Sequence, residues 1–124
     1  MKIAVAGSHG VGKSTLVKSL VEKLKLPHIE EVARSVAKKH GFINCQEILA
    51  ASKDKVQHYQ SEIFAAQKVK EMENYNFISD RSIYDIVAYM ILYELPISNI
   101  KMYMISADIH SSGYDAIIYL PIPT

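Results

Sequence analysis

Residues 7–14 place a glycine, four further residues, a second glycine, a lysine and a serine in a row. The apolar run Lys2–Ala6 before them predicts a buried parallel strand, and the apolar spacing of residues 14–25 predicts an amphipathic helix. Glycines let the backbone curl so that successive N–H groups point at one anion, and the helix adds the positive end of its dipole. The pattern therefore predicts a phosphate-binding loop between a strand and a helix.

The two residues at the end of this loop, Lys13 and Ser14, have expected partners on a bound nucleotide. Lys13 would reach the β- and γ-phosphates, and the Ser14 hydroxyl would supply one oxygen ligand to Mg²⁺, so we expect ATP and Mg²⁺ as cofactors. The alternative is a plain glycine-rich turn, but such a turn does not require lysine and serine at these offsets. The residues expected to bind the cofactor are Gly7, Ser8, His9, Gly10, Val11, Gly12, Lys13, Ser14 and Thr15.

Length and composition indicate one globular domain over residues 1–124, with 49% hydrophobic and 22% charged residues. The net charge of +1 gives no overall electrostatic reason to expect a nucleic-acid surface or an anionic membrane as partner. The single cysteine, Cys45, excludes an internal disulfide and favours a reducing, cytoplasmic location. The longest apolar run, residues 86–93, is too short to span a bilayer, and no signal peptide is recognised.

Strand and helix patterns alternate along the rest of the chain, which predicts an α/β fold with three layers: a parallel sheet of about four strands between two layers of helices. We expect a break near Ser52 in the long helix and Ser82 as the cap of the next one. The strands are predicted at residues 28–32, 76–79 and 114–120, the last one buried, and the helices at 33–40, 46–72, 83–94 and 98–109. The inner face of the long helix is predicted to carry Ile48, Val56, Tyr59, Ile63, Ala66 and Val69.

Charged residues follow two of the predicted strands, and ligands of open α/β sheets gather at the carboxyl ends of strands. Glu30, Asp80 and Arg81 would therefore join the loop residues and supply what phosphoryl transfer needs. Each has an alternative: Asp80 and Arg81 as a structural ion pair or helix-start acid, and Glu30 as a solvated first-turn residue. For Glu31 the solvated interpretation is preferred. Arg34 would either pair with one of these glutamates or face a phosphate.

The five histidines show no metal-ligand spacing in the sequence, so we interpret them as surface or loop residues. They are His9, His28, His40, His58 and His110.

The order of these motifs resembles the P-loop nucleoside and nucleotide kinases. In deoxynucleoside kinases an acidic residue in a Glu-Pro-Val-Ala-Arg stretch acts as the base, and the similar stretch here begins at Glu30. An acid-Arg-Ser triplet follows strand three in that family, as in Asp80-Arg81-Ser82, and thymidylate kinases carry a similar Asp-Arg pair. The AAA-type ATPase and kinase families that include nicotinamide riboside kinases show comparable patterns.

This resemblance implies roles for the catalytic candidates. With strand three beside strand one, Asp80 would hold Mg²⁺ together with Ser14, and Arg81 would contact phosphate. Glu30, on the outer strand, would orient or deprotonate the acceptor hydroxyl. Lys13 would neutralise the phosphates. The implied reaction is transfer of the γ-phosphoryl of ATP to a nucleoside, nucleotide or similar small molecule.

The chain departs from that family in two respects. Glu31 stands where deoxynucleoside kinases have proline, and no arginine-rich lid or fifth strand precedes the end at Thr124. We therefore expect a truncated or minimal relative, with slow turnover and an open sheet edge that favours a homodimer. A P-loop NTPase that drives a partner, or a nucleotide-binding module without catalysis, remains the alternative.

Overall fold

The computed structural model describes residues 1–7 and 12–121, and at Cys45 it describes the backbone only. Within these residues the chain alternates strands with helices, as predicted. The elements are β1 (Lys2–Ala6), α1 (Lys13–Leu24), β2 (His28–Ile29), α2 (Ala33–Lys39), α3 (Cys45–Ala50), α4 (Lys53–Met72), β3 (Phe77–Ser79), α5 (Ile83–Leu92), α6 (Ile97–Ser111) and β4 (Ala116–Tyr119).

The four described strands form one all-parallel sheet in the order β2-β3-β1-β4. Ile3 of β1 lies opposite Ile78 of β3 on one side and Ala116 of β4 on the other. Because the strands are parallel, their carboxyl ends meet at one edge of the sheet. The residues that follow β1, β2 and β3 therefore face the same space, which is the arrangement expected for a P-loop α/β fold.

Two hydrophobic clusters stabilise the two faces of the sheet. On one face, α1 packs through Val17 against Ile3, Val5 and Ile78. Ser79 is adjacent to Ile78 in the strand and so points to the opposite face, where Gln67 of α4 donates a hydrogen bond to its hydroxyl at 2.8 Å. The larger cluster joins α2, α4, α5 and α6 on that face. The predicted three-layer architecture is confirmed.

Two predictions about the helices are confirmed, and the prediction that Val69 lies on the inner face of the long helix is wrong. The break near Ser52 separates α3 from α4, with the Ser52 hydroxyl accepting from the backbone N–H of Lys55. Ser82 caps α5. Val69, however, is 53% exposed, because thirteen residues after Val56 the helix has turned its side chain to the far side. Gln67 and Glu71 occupy the inner face at that level instead.

Two strands also differ from prediction. β2 ends at Ile29 rather than residue 32, because Val32, the residue before α2, already has helical backbone angles and is buried in the helical cluster. β4 was expected to be buried, but Ile117 is 44% and Tyr119 is 66% exposed. The reason is its position at the end of the strand order, with β1 as its described neighbour. None of the described helices combines the length and the apolarity needed to cross a membrane.

Candidate functional site

The junction of β1 and α1 carries glycines at both ends of the loop. Gly7 has φ of 144° and Gly12 has φ of 85°, values that side chains with a Cβ rarely adopt. A Cβ on Gly12 would meet no described atom within 4 Å, so backbone conformation rather than space requires glycine there. The predicted cradle residues Ser8, His9, Gly10 and Val11 lie outside the described residues.

Lys13, at the start of α1, extends its side chain toward the ends of β1 and β3. Its side chain is only 5% exposed, its Nζ donates to the Gly7 carbonyl at 3.2 Å, and the same Nζ lies 3.6 Å from Asp80 Oδ1. Lys13 thus bridges the ends of β1 and β3, which the strand order places side by side. A buried ammonium at this point is a ready partner for an anion.

Asp80 is positioned to accept a cation in addition to Lys13. Its side chain is 14% exposed, and its buried Oδ1 forms no hydrogen bond within the described parts of the chain. Ser14 and Asp80 line the same cleft. A hydroxyl and a carboxylate oxygen, with room for phosphate or water oxygens, are the hard donors that Mg²⁺ takes. The residues present therefore fit a magnesium ion, which Ser14 and Asp80 would hold.

Asp85 holds the loop entrance and was not among the predicted site residues. One carboxylate oxygen accepts from the backbone N–H of Gly7 at 3.3 Å, and the other accepts from the backbone N–H of Ser82 at 2.7 Å. Ser82 in turn accepts from the N–H of Asp85, which completes a capping box at the start of α5. Ser82 was predicted as the cap, and the Ser-x-x-Asp spacing also indicates the part of Asp85 in it, but no local pattern marks the contact with Gly7.

Arg81 forms a buried ion pair with Glu31. Arg81 Nη2 lies 2.8 Å from Glu31 Oε1, and the two side chains are only 7% and 12% exposed. The guanidinium also stacks 4.6 Å from the ring centre of Tyr89. The expectation that Glu31 is a solvated first-turn residue is therefore wrong, because the chain turns after β2 and directs this carboxylate at β3's end. A phosphate contact by Arg81 stays a prediction.

An open cleft of about 870 Å³ lies over the carboxyl edge of β2 and β3. It brings together three predicted residues, Ser14, Glu30 and Asp80, whereas Thr15 is exposed and Arg81 does not line it. Arg34 lines the cleft with an exposed side chain, and its contact with a phosphate stays a prediction. Basic or polar residues that sequence reasoning missed also line it: Lys18, His28, Lys70 and Asn74.

One of these missed residues had a local signal. Lys18 lies one helical turn after Ser14, so α1 presents both on the same side. Lys70 lies in the last turn of α4 and Asn74 just after it, and only the packing of α4 beside β3 brings them to the cleft.

The prediction that the histidines are surface or loop residues is wrong for His110, which lies in α6 and is 11% exposed. His40 is also 11% exposed, but it lies in the turn that follows α2 and so agrees with the predicted loop position. His110 contacts Glu71 at 2.7 Å, and Tyr114 donates to the same carboxylate at 3.0 Å. Burial, followed by the charge of Glu71, raises the pKa of the Tyr114 hydroxyl well above its usual range. His9 lies outside the described residues.

Comparison with known proteins gives three findings. The solved structure of shikimate kinase from Aquifex aeolicus vf5 is similar with a TM-score of 0.49 and 16% sequence identity, covering 99% of this chain and 89% of that one. No curated protein matches the sequence. A family model described as an AAA domain matches residues 2–124, nearly the whole chain. Together with the loop, the strand order and the Lys13–Asp80 contact, this match shows that the chain is a P-loop protein and belongs to the AAA domain family.

Proposed function

We propose that this chain is an ATP-dependent phosphotransferase that passes the γ-phosphoryl group to a nucleoside, a nucleotide or a similar small molecule. The observation that carries the proposal is the position of Asp80. It lies beside Lys13 at the phosphate loop and, at the same time, in the wall of a cleft that extends to Glu30. The Asp80 carboxylate thus borders both the proposed phosphate site and the cleft that would hold the acceptor.

On the phosphate side, Lys13 and Asp80 are arranged to exchange partners. A phosphate entering the loop offers Lys13 Nζ a stronger, charge-assisted partner than its 3.6 Å contact with Asp80. The carboxylate is then available, with Ser14, to hold Mg²⁺. When bound, this ion neutralises charge on the phosphate oxygens during transfer.

On the acceptor side, the cleft offers both a base and cations. Glu30 is exposed in the wall of the cleft and can accept a proton from an acceptor hydroxyl. This role fits its position after β2, which is further from the phosphate loop than Asp80 after β3. Lys18, Arg34 and Lys70 add positive charge. This mixture suits a polar or anionic acceptor, such as a nucleoside or nucleotide.

A second candidate is a P-loop ATPase or a nucleotide-binding module without transfer. The open form of the cleft favours it, because transfer to an acceptor rather than to water requires that water be excluded. An acceptor distinguishes the two. A phosphotransferase releases ADP faster when its acceptor is added, and the product carries the phosphoryl group.

The test combines binding with turnover. We expect Lys13→Ala to lose Mg²⁺-ATP affinity by roughly a few kcal/mol in calorimetry, since it removes the buried cation at the loop. Lys23→Ala, an exposed lysine in the last turn of α1, is the matched control and should bind as the wild type does. Unchanged affinity in a folded Lys13→Ala variant would disprove the phosphate site.

Turnover is measured as ADP release across a panel of nucleosides and nucleotides, with mass spectrometry of the products. Stimulation by one acceptor, together with its phosphorylated product, supports the phosphotransferase. ATP consumption that no acceptor stimulates and that yields only free phosphate supports the ATPase.

A further inference from the structure

Three potential metal ligands meet where the end of α2 packs against α4, on residues that the proposed function does not use. His40 directly follows α2, and His58 and Glu62 lie one turn apart on α4. One ligand atom from each of the three lies within 4.8 Å of the other two. We propose that His40, His58 and Glu62 form a zinc site that links the end of α2 to α4.

The distances in this cluster approach those of a tetrahedral zinc site. Bonds of about 2.0–2.2 Å to zinc at tetrahedral angles separate neighbouring ligand atoms by roughly 3.3 Å. His40 Nε2 lies 3.3 Å from Glu62 Oε2, and His58 Nε2 lies 3.2 Å from Glu62 Oε1. These two contacts are made to different oxygens of the Glu62 carboxylate, and the three ligand atoms lie within 4.8 Å of one another. The His58 side chain, which is 70% exposed, would therefore have to rotate to bring its nitrogen to the same ion. Water would complete the coordination.

His40 is held in place before any ion binds. Its side chain is 11% exposed, its ring stacks on Phe42 with centroids 6.2 Å apart, and the Tyr59 ring lies 5.6 Å away. His40 Nε2 is buried and has no hydrogen-bond partner in the described parts of the chain, although the Glu62 carboxylate is nearby. A metal ion between the two would provide this nitrogen with a partner.

The donor set limits the choice of ion. Two imidazole nitrogens and one carboxylate oxygen suit a transition metal such as Zn²⁺, whereas Mg²⁺ and Ca²⁺ prefer sites made of oxygen alone. Lys39 competes for the same carboxylate, since its Nζ lies 3.4 Å from Glu62 Oε2. Its side chain is 73% exposed and flexible, so it can move into solvent when the ion binds.

The ligands come from two helices, and this determines what the site would do. The α2 helix leads from the cleft residue Arg34 to His40, and it packs on α4 through the larger hydrophobic cluster. An ion that is bound by His40 at the end of α2 and by His58 and Glu62 on α4 would hold the end of α2 against α4. Since zinc would bind the folded chain and not the separated ligands, it would also raise the apparent stability.

The test is a calorimetric Zn²⁺ titration of the full chain in excess Mg²⁺, which occupies oxygen-only sites. A Cys45→Ser background removes the single thiol. We expect one zinc per chain, and we expect His58→Ala and Glu62→Gln each to weaken binding roughly tenfold or more. Glu94→Gln, which changes an exposed glutamate outside both the cluster and the cleft, is the control and should bind unchanged.

Lys39→Ala distinguishes the proposed site from nonspecific zinc binding, because nonspecific binding would not become tighter in this variant. Removing the competing cation should tighten zinc binding, while the melting temperature without zinc stays close to that of the wild type. Zinc should raise the melting temperature of the wild type but not of His58→Ala, whose exposed side chain makes misfolding a poor explanation. Equal zinc affinity in wild type, His58→Ala and Glu62→Gln, or no saturable binding at all, would overturn the proposal.

Discussion

Two carboxylates at the candidate site, Glu30 and Asp80, differ in the groups around them. Asp80 is 14% exposed and lies against a buried lysine, whereas Glu30 is exposed in the cleft wall. A metal ligand must lie beside the phosphates, and a base must lie beside the acceptor. The two environments therefore favour the predicted roles, with Asp80 as metal ligand and Glu30 as base.

This division predicts opposite defects in two isosteric variants. Asp80→Asn should weaken Mg²⁺-dependent ATP binding, because it removes the charge that holds the ion. Glu30→Gln should spare ATP binding but slow phosphoryl transfer by roughly 10²–10⁴-fold, the usual span for general acid–base catalysis. Calorimetry and single-turnover kinetics measure the two effects. The reverse pattern would show that the roles are exchanged.

Neighbouring glutamates also allow a matched test of the buried ion pair. Glu31→Gln leaves the Arg81 charge buried without its carboxylate and should destabilise the fold by about 3 kcal/mol. Glu30→Gln, one residue away and exposed, should leave the free energy of unfolding unchanged. Urea denaturation of the two variants measures the difference. Similar stability of both would show that Arg81 finds adequate compensation elsewhere.

At the scale of elements, the start of α5 serves both a helix and the phosphate loop. Ser82 and Asp85 cap the helix, and Asp85 alone also accepts from the backbone of Gly7 at the end of β1. A helix cap is a local feature worth about 1 kcal/mol. The additional contact connects the position of α5 to the entrance of the loop.

Ser82→Ala and Asp85→Ala should separate these two functions. Each should lower the free energy of unfolding by about 0.5–2 kcal/mol through loss of the cap. Only Asp85→Ala should also weaken ATP binding, because it releases the Gly7 backbone. Chemical denaturation and calorimetry provide the two readouts. Equal ATP affinity in the two variants would mean that Asp85 acts on the helix alone.

At the scale of the whole molecule, β4 is the edge strand beside β1. Its side chains at Ile117 and Tyr119 are exposed, and α6, which precedes it in the chain, exposes Ile105 and Ile109 at 63% and 71%. Exposed apolar groups on an edge strand favour pairing with another chain. This combination supports the expected homodimer, which stays a prediction.

We therefore expect the average molar mass from light scattering to rise with protein concentration. Ile117→Lys, which places a charge on the edge strand, should shift the protein toward monomer without changing ATP affinity. Lys101→Ala, an exposed change on α6 that removes no apolar group, is the control. A constant monomeric mass for the wild type would contradict self-association.

The sequence by itself determined the features that depend on neighbouring residues. The strand–loop–helix start, the break before Lys53 and the Ser82 cap follow from glycine conformations, apolar periods and side-chain caps, which act within a few residues. Alternating strands and helices also allowed the parallel sheet to be predicted, and with it the meeting of Ser14, Glu30 and Asp80 at one edge.

Only the tertiary structure decided the contacts between distant residues. Arg81 and Glu31 are 50 residues apart, and His110 and Glu71 are 39 apart, so no local spacing marks either pair. The same holds for His40, which reaches Glu62 because α2 packs on α4. The strand order left β4 exposed, although its apolar composition predicts a buried strand. Local forces choose the elements, whereas packing chooses which of their side chains meet.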